Sequence, residues 1–141
     1  MSDVLEVTIY MEPVGKARAR TVRTKGGKVM SFTPDKTAAA ENMIRDKIMG
    51  LGVKIPSGVP IRLTATFYRS RPKSCKKLEL PVSRPDLDNY VKLLTDAMEK
   101  FAYDNDSQIT SLNVKKRYVN PDFPGPASPC IQLLLEPDER S

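Results

Sequence analysis

Apolar residues recur in this chain with two different periods, and the order in which the periods follow one another is the strongest constraint on its fold. Ile61, Leu63, Ala65 and Phe67 alternate with Arg62, Thr64, Thr66 and Tyr68, the signature of a strand with one buried face. Residues 4–11 alternate in the same way, with Leu5, Val7 and Ile9 on one side. Residues 109–119 and 129–135 read as two more strands. Residues 21–32 carry Lys25-Gly26-Gly27-Lys28 between β-compatible flanks, which predicts a hairpin with a Gly-Gly turn. Helical spacing occurs twice. Thr33 as N-cap and Pro34 at the first helical position open one helix, which runs to about Met49, where Gly50 and Gly52 stop it. The other spans about residues 86–101, with Leu87, Val91, Leu94, Met98 and Phe101 as its apolar stripe. The elements interleave without regular βαβ repeats, so the expected fold is α+β (mixed α/β). One small domain over residues 1–141 is expected, with residues 136–141 as a flexible tail.

At 141 residues the chain has the length of one domain with one core. It contains no histidine, which excludes Ser-His-Asp triads and His-ligated zinc. Two cysteines, Cys75 and Cys130, are too few for a disulfide framework or a four-thiolate zinc site and read as reduced thiols. No leader pattern opens the chain, and its apolar runs fall far short of the roughly 20 residues that span a bilayer. A cytoplasmic protein with no membrane partner is the expectation. Acid, base or metal chemistry must therefore come from carboxylates, lysine, tyrosine or cysteine.

The net charge of +6 conceals an uneven distribution. Residues 16–36 hold Lys16, Arg18, Arg20, Arg23, Lys25, Lys28 and Lys36 against Asp35 alone. Residues 69–84 hold Arg69, Arg71, Lys73, Lys76, Lys77 and Arg84 against Glu79. Residues 86–106 reverse the balance, with Asp86, Asp88, Asp96, Glu99, Asp104 and Asp106 facing Lys92 and Lys100. Basic segments suit a phosphate backbone, whereas a dense acidic segment repels one unless a cation holds its charges.

At about 100° per residue, Asp88 and Lys92 stack on one flank of the second helix, bordering its buried face, and Asp96 falls near the middle of the opposite face. Tertiary folding that returned Asp106 to the first turn would assemble Asp86, Asp88 and Asp106. Three crowded carboxylates need neutralisation, and Mg²⁺, or Mn²⁺, is the hard cation that oxygen donors select. Each residue also has a local reading: Asp86 as N-cap, Asp88 favouring the helix dipole, Asp106 in a turn. An EF-hand loop starting at Asp104 is excluded, because its sixth position is Ile109 and its twelfth is Lys115.

The run Arg84-Pro85-Asp86-Leu87-Asp88-Asn89-Tyr90-Val91-Lys92, followed by Asp96-Ala97-Met98 and Asp106-Ser107-Gln108, resembles the RusA family of Holliday-junction resolvases. So do Pro13-Val14-Gly15-Lys16-Ala17-Arg18-Ala19-Arg20, Thr33-Pro34 and residues 67–74. The resemblance implies a RusA-like fold and a metal-dependent endodeoxyribonuclease. Its partner would be branched DNA, four-way junctions that a homodimer cuts by paired symmetric nicks in recombination and repair, with a phage or prophage origin. It implies Asp86, Asp88 and Asp106 as metal-binding catalytic residues and Lys92 as the essential helix lysine, although Lys92 also has i,i+4 pairing with Asp88 or Asp96 open to it. Within the basic segments, Lys16, Arg18, Arg20, Lys73 and Arg84 are the expected DNA contacts. The sequence departs from the family pattern at Asn105, where an aspartate is common, and Asp96 matches a frequent family aspartate of no derived role. Three readings compete: a catalytically weak or inactive DNA-binding protein of the same fold, a carboxylate-metal nuclease for other branched DNA, and a structural Mg²⁺-stabilised interaction protein.

Overall fold

The computed structural model describes residues 4–17, 20–23, 25–27, 29–32, 35–74 and 79–139, with backbone only for 20–23 and 29–32. In chain order the elements are β1 (Leu5–Ile9), β2 (Arg20–Arg23), β3 (Val29–Phe32), α1 (Asp35–Leu51), β4 (Ile61–Arg69), α2 (Leu87–Met98), a 3-10 turn (Asp106–Gln108), β5 (Ile109–Tyr118) and β6 (Cys130–Pro137). Strands β2 and β3 pair antiparallel as the hairpin expected from the Gly-Gly turn, with Gly27 at φ +82°. Residues Thr33 and Pro34 lie outside the described residues. Helix α1 runs through Gly50, expected as a stop, and ends at Leu51, just before Gly52, whose φ of +67° suits a residue without a Cβ.

The main sheet has the order β1-β6-β4-β5. β6 pairs antiparallel with both β1 and β4, while β4 and β5 run parallel. A parallel pair needs a crossover, and α2 supplies it, so one βαβ unit sits inside an otherwise antiparallel sheet. One sheet face carries Leu5, Ile9, Ile61, Leu63, Ala65, Phe67, Ile131, Leu133 and Leu135 into the core. Ala40, Ile44 and Ile48 of α1, and Tyr90, Leu93, Leu94, Ala97 and Met98 of α2, meet them there. Tyr90 stacks on Phe67 with centroids 5.2 Å apart, which seats α2 on β4. This is a small α+β domain with a mixed four-stranded sheet and two helices, as the periodicities implied.

Two local expectations are corrected. Helix α2 buries Tyr90, Leu93 and Ala97 more deeply than Leu87 and Val91, so its buried face is turned by roughly 50° from the aliphatic stripe. The cause is its double packing: α2 meets α1 as well as the sheet, and a stripe drawn for one contact surface misses the second. Residues 136–141 do not begin a tail at Glu136. β6 continues through Pro137, and the Asp138 N–H donates to the Pro60 carbonyl at 2.8 Å.

Asp138 closes that corner. Its carboxylate accepts from Thr110 Oγ1 and Ser111 Oγ, each at 2.7 Å, and pairs with Arg62 at 3.1 Å. The two hydroxyl bonds, and then the Arg62 charge, hold its pKa below the ordinary carboxyl value. A depressed carboxyl pKa adds stability that is present above the unfolded value of about 3.9 and is lost as pH falls through the folded one. The urea midpoint of the wild type should therefore exceed that of Asp138→Asn at neutral pH, with the gap closing below about pH 4. A gap that stays constant with pH would show that the carboxylate charge adds nothing.

Candidate active site

The start of α2 is held by cations from the parallel strand pair. Arg69 donates to the carbonyls of Ser83 and Arg84 at 3.3 and 3.1 Å, and Lys116 Nζ donates to those of Ser83 and Pro85, both at 3.0 Å. The turn that delivers Asp86 is thereby tied to the C-terminal ends of β4 and β5, where open sheets with parallel strands commonly place their ligands. The Arg84–Pro85 peptide is cis. Sequence reasoning placed Arg69 only within a basic run and passed over Lys116. Lys116 is legible only once β5 is known to lie beside β4.

Asp86 occupies the N-cap position with extended backbone, yet its side chain makes no capping hydrogen bond. Its local structural role is therefore not taken up, and the carboxylate is exposed. Asp88, in the first helical turn, is exposed as well. With the helix turned as described, Asp88 and Lys92 lie near the middle of its exposed face, not at the border of the buried one. Lys92 Nζ lies 3.0 Å from Asp96 Oδ1. That bond and the Asp96 charge raise the Lys92 pKa, so it carries a firm positive charge at neutral pH.

Asp106 sits by the C-terminal end of α2. Its N–H donates to Glu99 Oε2 at 2.9 Å, and Tyr103 donates its hydroxyl to Asp106 Oδ1 at 2.5 Å. Burial raises the Asp106 pKa, the charges of Glu99 and Asp96 raise it further, and the Tyr103 bond and Lys92 oppose them. Burial, and then Asp106, push the Tyr103 hydroxyl strongly upward, so it remains a donor. Asn105 caps the 3-10 turn, accepting from Ser107 N–H at 2.9 Å as half of a capping box with Gln108. An aspartate would accept the same bond, so Asn105 keeps the shape of the turn without its charge.

The structure does not bring the three expected metal ligands into one cluster. Among the described residues no three carboxylates or thiols converge on a common point. Asp86 and Asp88 open α2, whereas Asp106 is fixed near its far end. The donor set still fits a hard cation in kind: all oxygen, two carboxylates exposed, the third held in its acidic surroundings at a cost that a cation would relieve. Mg²⁺ usually takes one or two carboxylates and fills its remaining positions with water and substrate phosphate, so a closed cage is not required.

The expected DNA contacts divide. Lys73 and Arg84 are exposed on the loop between β4 and α2. Arg18 and the Arg20 side chain lie outside the described residues. Lys16 is drawn inward and pairs with both Glu41 and Asp96 at 3.1 Å, so its charge is already answered. Burial lowers its pKa, but the bonds to Asp96 and Glu41 outweigh that and raise it. Its N–H donates to the Asn89 carbonyl at 2.9 Å, which straps residues 13–17 across the first turns of α2. The strap lies so close that a Cβ at Gly15 would stand 2.6 Å from Pro85 Cβ. Gly15→Ala should therefore cost about 1–3 kcal/mol, the scale of overpacking. Urea denaturation would measure it, and a loss below about 0.5 kcal/mol, the ordinary surface value, would mean that the strap simply lifts.

Carboxylates and a lysine exposed along one helix, bordered by basic loops, define a small α+β domain with an acidic site in a basic frame. The chain matches the family model described as Endodeoxyribonuclease RusA over residues 11–122, and it belongs to that family. It is 31% identical over 134 residues to the Uncharacterized protein YqaN of Bacillus subtilis (strain 168), covering 82% of this chain and 89% of that protein. It is 42% identical over 59 residues to the Crossover junction endodeoxyribonuclease rusA of Lactococcus phage r1t, covering 41% of this chain and 45% of that protein. No helix among the described residues is long and apolar enough to cross a membrane.

Proposed function

We propose that this protein is a divalent-metal-dependent endodeoxyribonuclease that resolves four-way DNA junctions by paired symmetric nicks, acting as a homodimer. The observation that carries the reading is Asp86: a residue in the N-cap position whose carboxylate caps nothing and faces solvent beside Asp88. Family membership supports it, and the phage relative fits a phage or prophage origin. Asp86 and Asp88 would hold Mg²⁺, or Mn²⁺ in its place, with Asp106 as a third carboxylate that binding of metal and substrate would have to draw in from the far end of α2; the ion would supply charge to polarise the scissile phosphate and lower the pKa of a bound water.

The chain's own residues do the rest. Lys92 places an ammonium on the exposed face of α2, where it offsets charge developing on the phosphate oxygens. Lys73 and Arg84 bind backbone phosphates from the β4–α2 loop, with Arg18 and Arg20 as further contacts. Two-fold related cuts require two sites in two-fold relation, which a dimer supplies. A non-catalytic junction-binding protein is the second reading, favoured by the absence of a preassembled carboxylate cluster among the described residues.

The test is a nicking assay on a synthetic mobile four-way junction, with Mg²⁺ against EDTA and a matched linear duplex as control. Paired symmetric nicks in the junction alone, lost in EDTA, are the expected result. Tight binding without nicks would favour the second reading, and no binding would remove nucleic acid from the account.

A further inference from the structure

Lys92, Asp96, Lys16 and Glu41 form one continuous chain of ion pairs. Asp96 gives Oδ1 to Lys92 Nζ at 3.0 Å and Oδ2 to Lys16 Nζ at 3.1 Å, and Lys16 reaches on to Glu41 Oε1 at 3.1 Å. The chain is anchored at one end and open at the other. Side-chain exposure is 13% at Glu41, 26% at Lys16 and 24% at Asp96, but 61% at Lys92. An isolated i,i+4 pair on a helix surface is weak and loosely held. Asp96 is not in that situation, because its second oxygen is already committed to a lysine fixed by its own backbone.

That fixation comes from both helices. Lys16 N–H bonds the Asn89 carbonyl of α2, and Ala17 N–H bonds Thr37 Oγ1 of α1 at 3.4 Å. Arg45 of α1 donates to the Asp96 carbonyl at 3.5 Å and lies over the Phe101 ring at 4.5 Å. The Asp96 carboxylate is thus held by a lysine that is itself bonded to both helices, and Lys92 is tethered to it. The four charges sum to zero, so Lys16 has no excess charge to offer a phosphate.

We propose that Asp96 is a positioning residue that presents the Lys92 ammonium to the scissile phosphate, with Lys16 serving to hold Asp96 and not to contact DNA. The proposal rests on the nuclease reading of Lys92 given above. A mere staple between the helices would use the same Asp96–Lys16–Glu41 contacts but would leave Lys92 indifferent to them.

Three variants separate these roles: Asp96→Asn, Asp96→Glu and Lys16→Met. Each is measured for single-turnover cleavage at saturating junction with Mg²⁺, for junction affinity in Ca²⁺, and for the side-chain NMR signals of Lys92 in lysine-labelled protein. Asp96→Asn should lower the single-turnover rate about 10- to 100-fold, the scale of a misplacement on the order of 1 Å. Junction affinity should not fall. Asp96→Glu should recover part of the rate, and Lys16→Met should lower the rate without weakening binding. The charged groups acting on Lys92 are Asp96, Asp106 and Lys16. Loss of the Asp96 charge should move the Lys92 titration down towards the ordinary lysine value.

An unchanged rate in Asp96→Asn, or weakened binding in Lys16→Met with the saturated rate intact, would overturn the proposal. A wild-type protein that nicks no junction would remove the nuclease reading and leave the tether to NMR: a Lys92 signal moved by Asp96→Asn upholds it, and an unmoved one overturns it.

Discussion

Asp88→Asn is expected to eliminate junction cleavage while junction binding is kept or tightened. The side chain is exposed in the first turn of α2, so the substitution removes a charge without opening a cavity. Its cost to the fold is the loss of a favourable helix-dipole interaction, about 0.3–1 kcal/mol. The cost to catalysis should be at least on the order of 1000-fold, the upper scale reported for removing one electrostatic stabiliser of a charged transition state. Binding should respond in the opposite direction, because a carboxylate near a phosphate backbone repels it. Single-turnover nicking in Mg²⁺ and fluorescence anisotropy in Ca²⁺ measure the two effects separately. A variant that cuts at the wild-type rate would remove Asp88 from the site, and one that loses binding in parallel would make it a structural residue.

Elements whose residues carry their own periodicity were legible in the sequence, and contacts between elements were not. Ile61, Leu63, Ala65 and Phe67 alternate because one face of β4 is buried, and the alternation needs no knowledge of the neighbours. The Gly-Gly turn is equally local. The parallel pairing of β4 with β5 leaves no such trace, since the same alternation serves either direction. The tail was misread for a related reason. Glu136, Pro137 and Asp138 are poor strand formers by composition, yet Asp138 is secured by Thr110, Ser111 and Arg62 on two other strands.

In the site, the motif positions were legible and their environments were not. A helical wheel centred on Leu87, Val91 and Leu94 puts Asp96 opposite the core, where a carboxylate reads as a solvated charge. The two-sided burial of α2 moves it to a flank that α1 and residues 13–17 cover. The same rearrangement takes Lys16 from the expected DNA contacts to the interior of an ion-pair chain. Charge counting along the sequence placed Lys16 in a basic run. Its partners, Glu41 and Asp96, come from two other elements. Asp106 shows the opposite case: its turn was recognisable, but its position at the far end of α2 from Asp86 is set by Glu99 and Tyr103 nearby and by the long-range contacts of its turn.

Those contacts converge on Gln108, and Gln108→Leu should unfold the turn that carries Asp106. The side chain is 9% exposed and uses its full hydrogen-bonding capacity. Oε1 accepts from the N–H groups of Asp104 and Asn105 at 3.1 and 3.0 Å, and Nε2 donates to the carbonyls of Pro56 and Val59 at 3.0 and 3.1 Å. One amide therefore fastens the loop before β4 to the turn before β5, and the parallel pair begins from that fastening. Leucine fills nearly the same space and answers none of the four backbone groups. At about 1–3 kcal/mol for each group left buried and unsatisfied, with some regaining water, the loss should be about 3–5 kcal/mol. At a few degrees per kcal/mol for a domain of this size, the melting temperature should fall by roughly 10–15 °C. Cleavage at a temperature where the variant is still folded should also drop, because Asp106 lies between Asn105 and Gln108 and moves with them. A melting temperature within about 3 °C of the wild type would mean that water replaces the amide at little cost. The turn would then be held by Tyr103 and Glu99 acting on Asp106 itself.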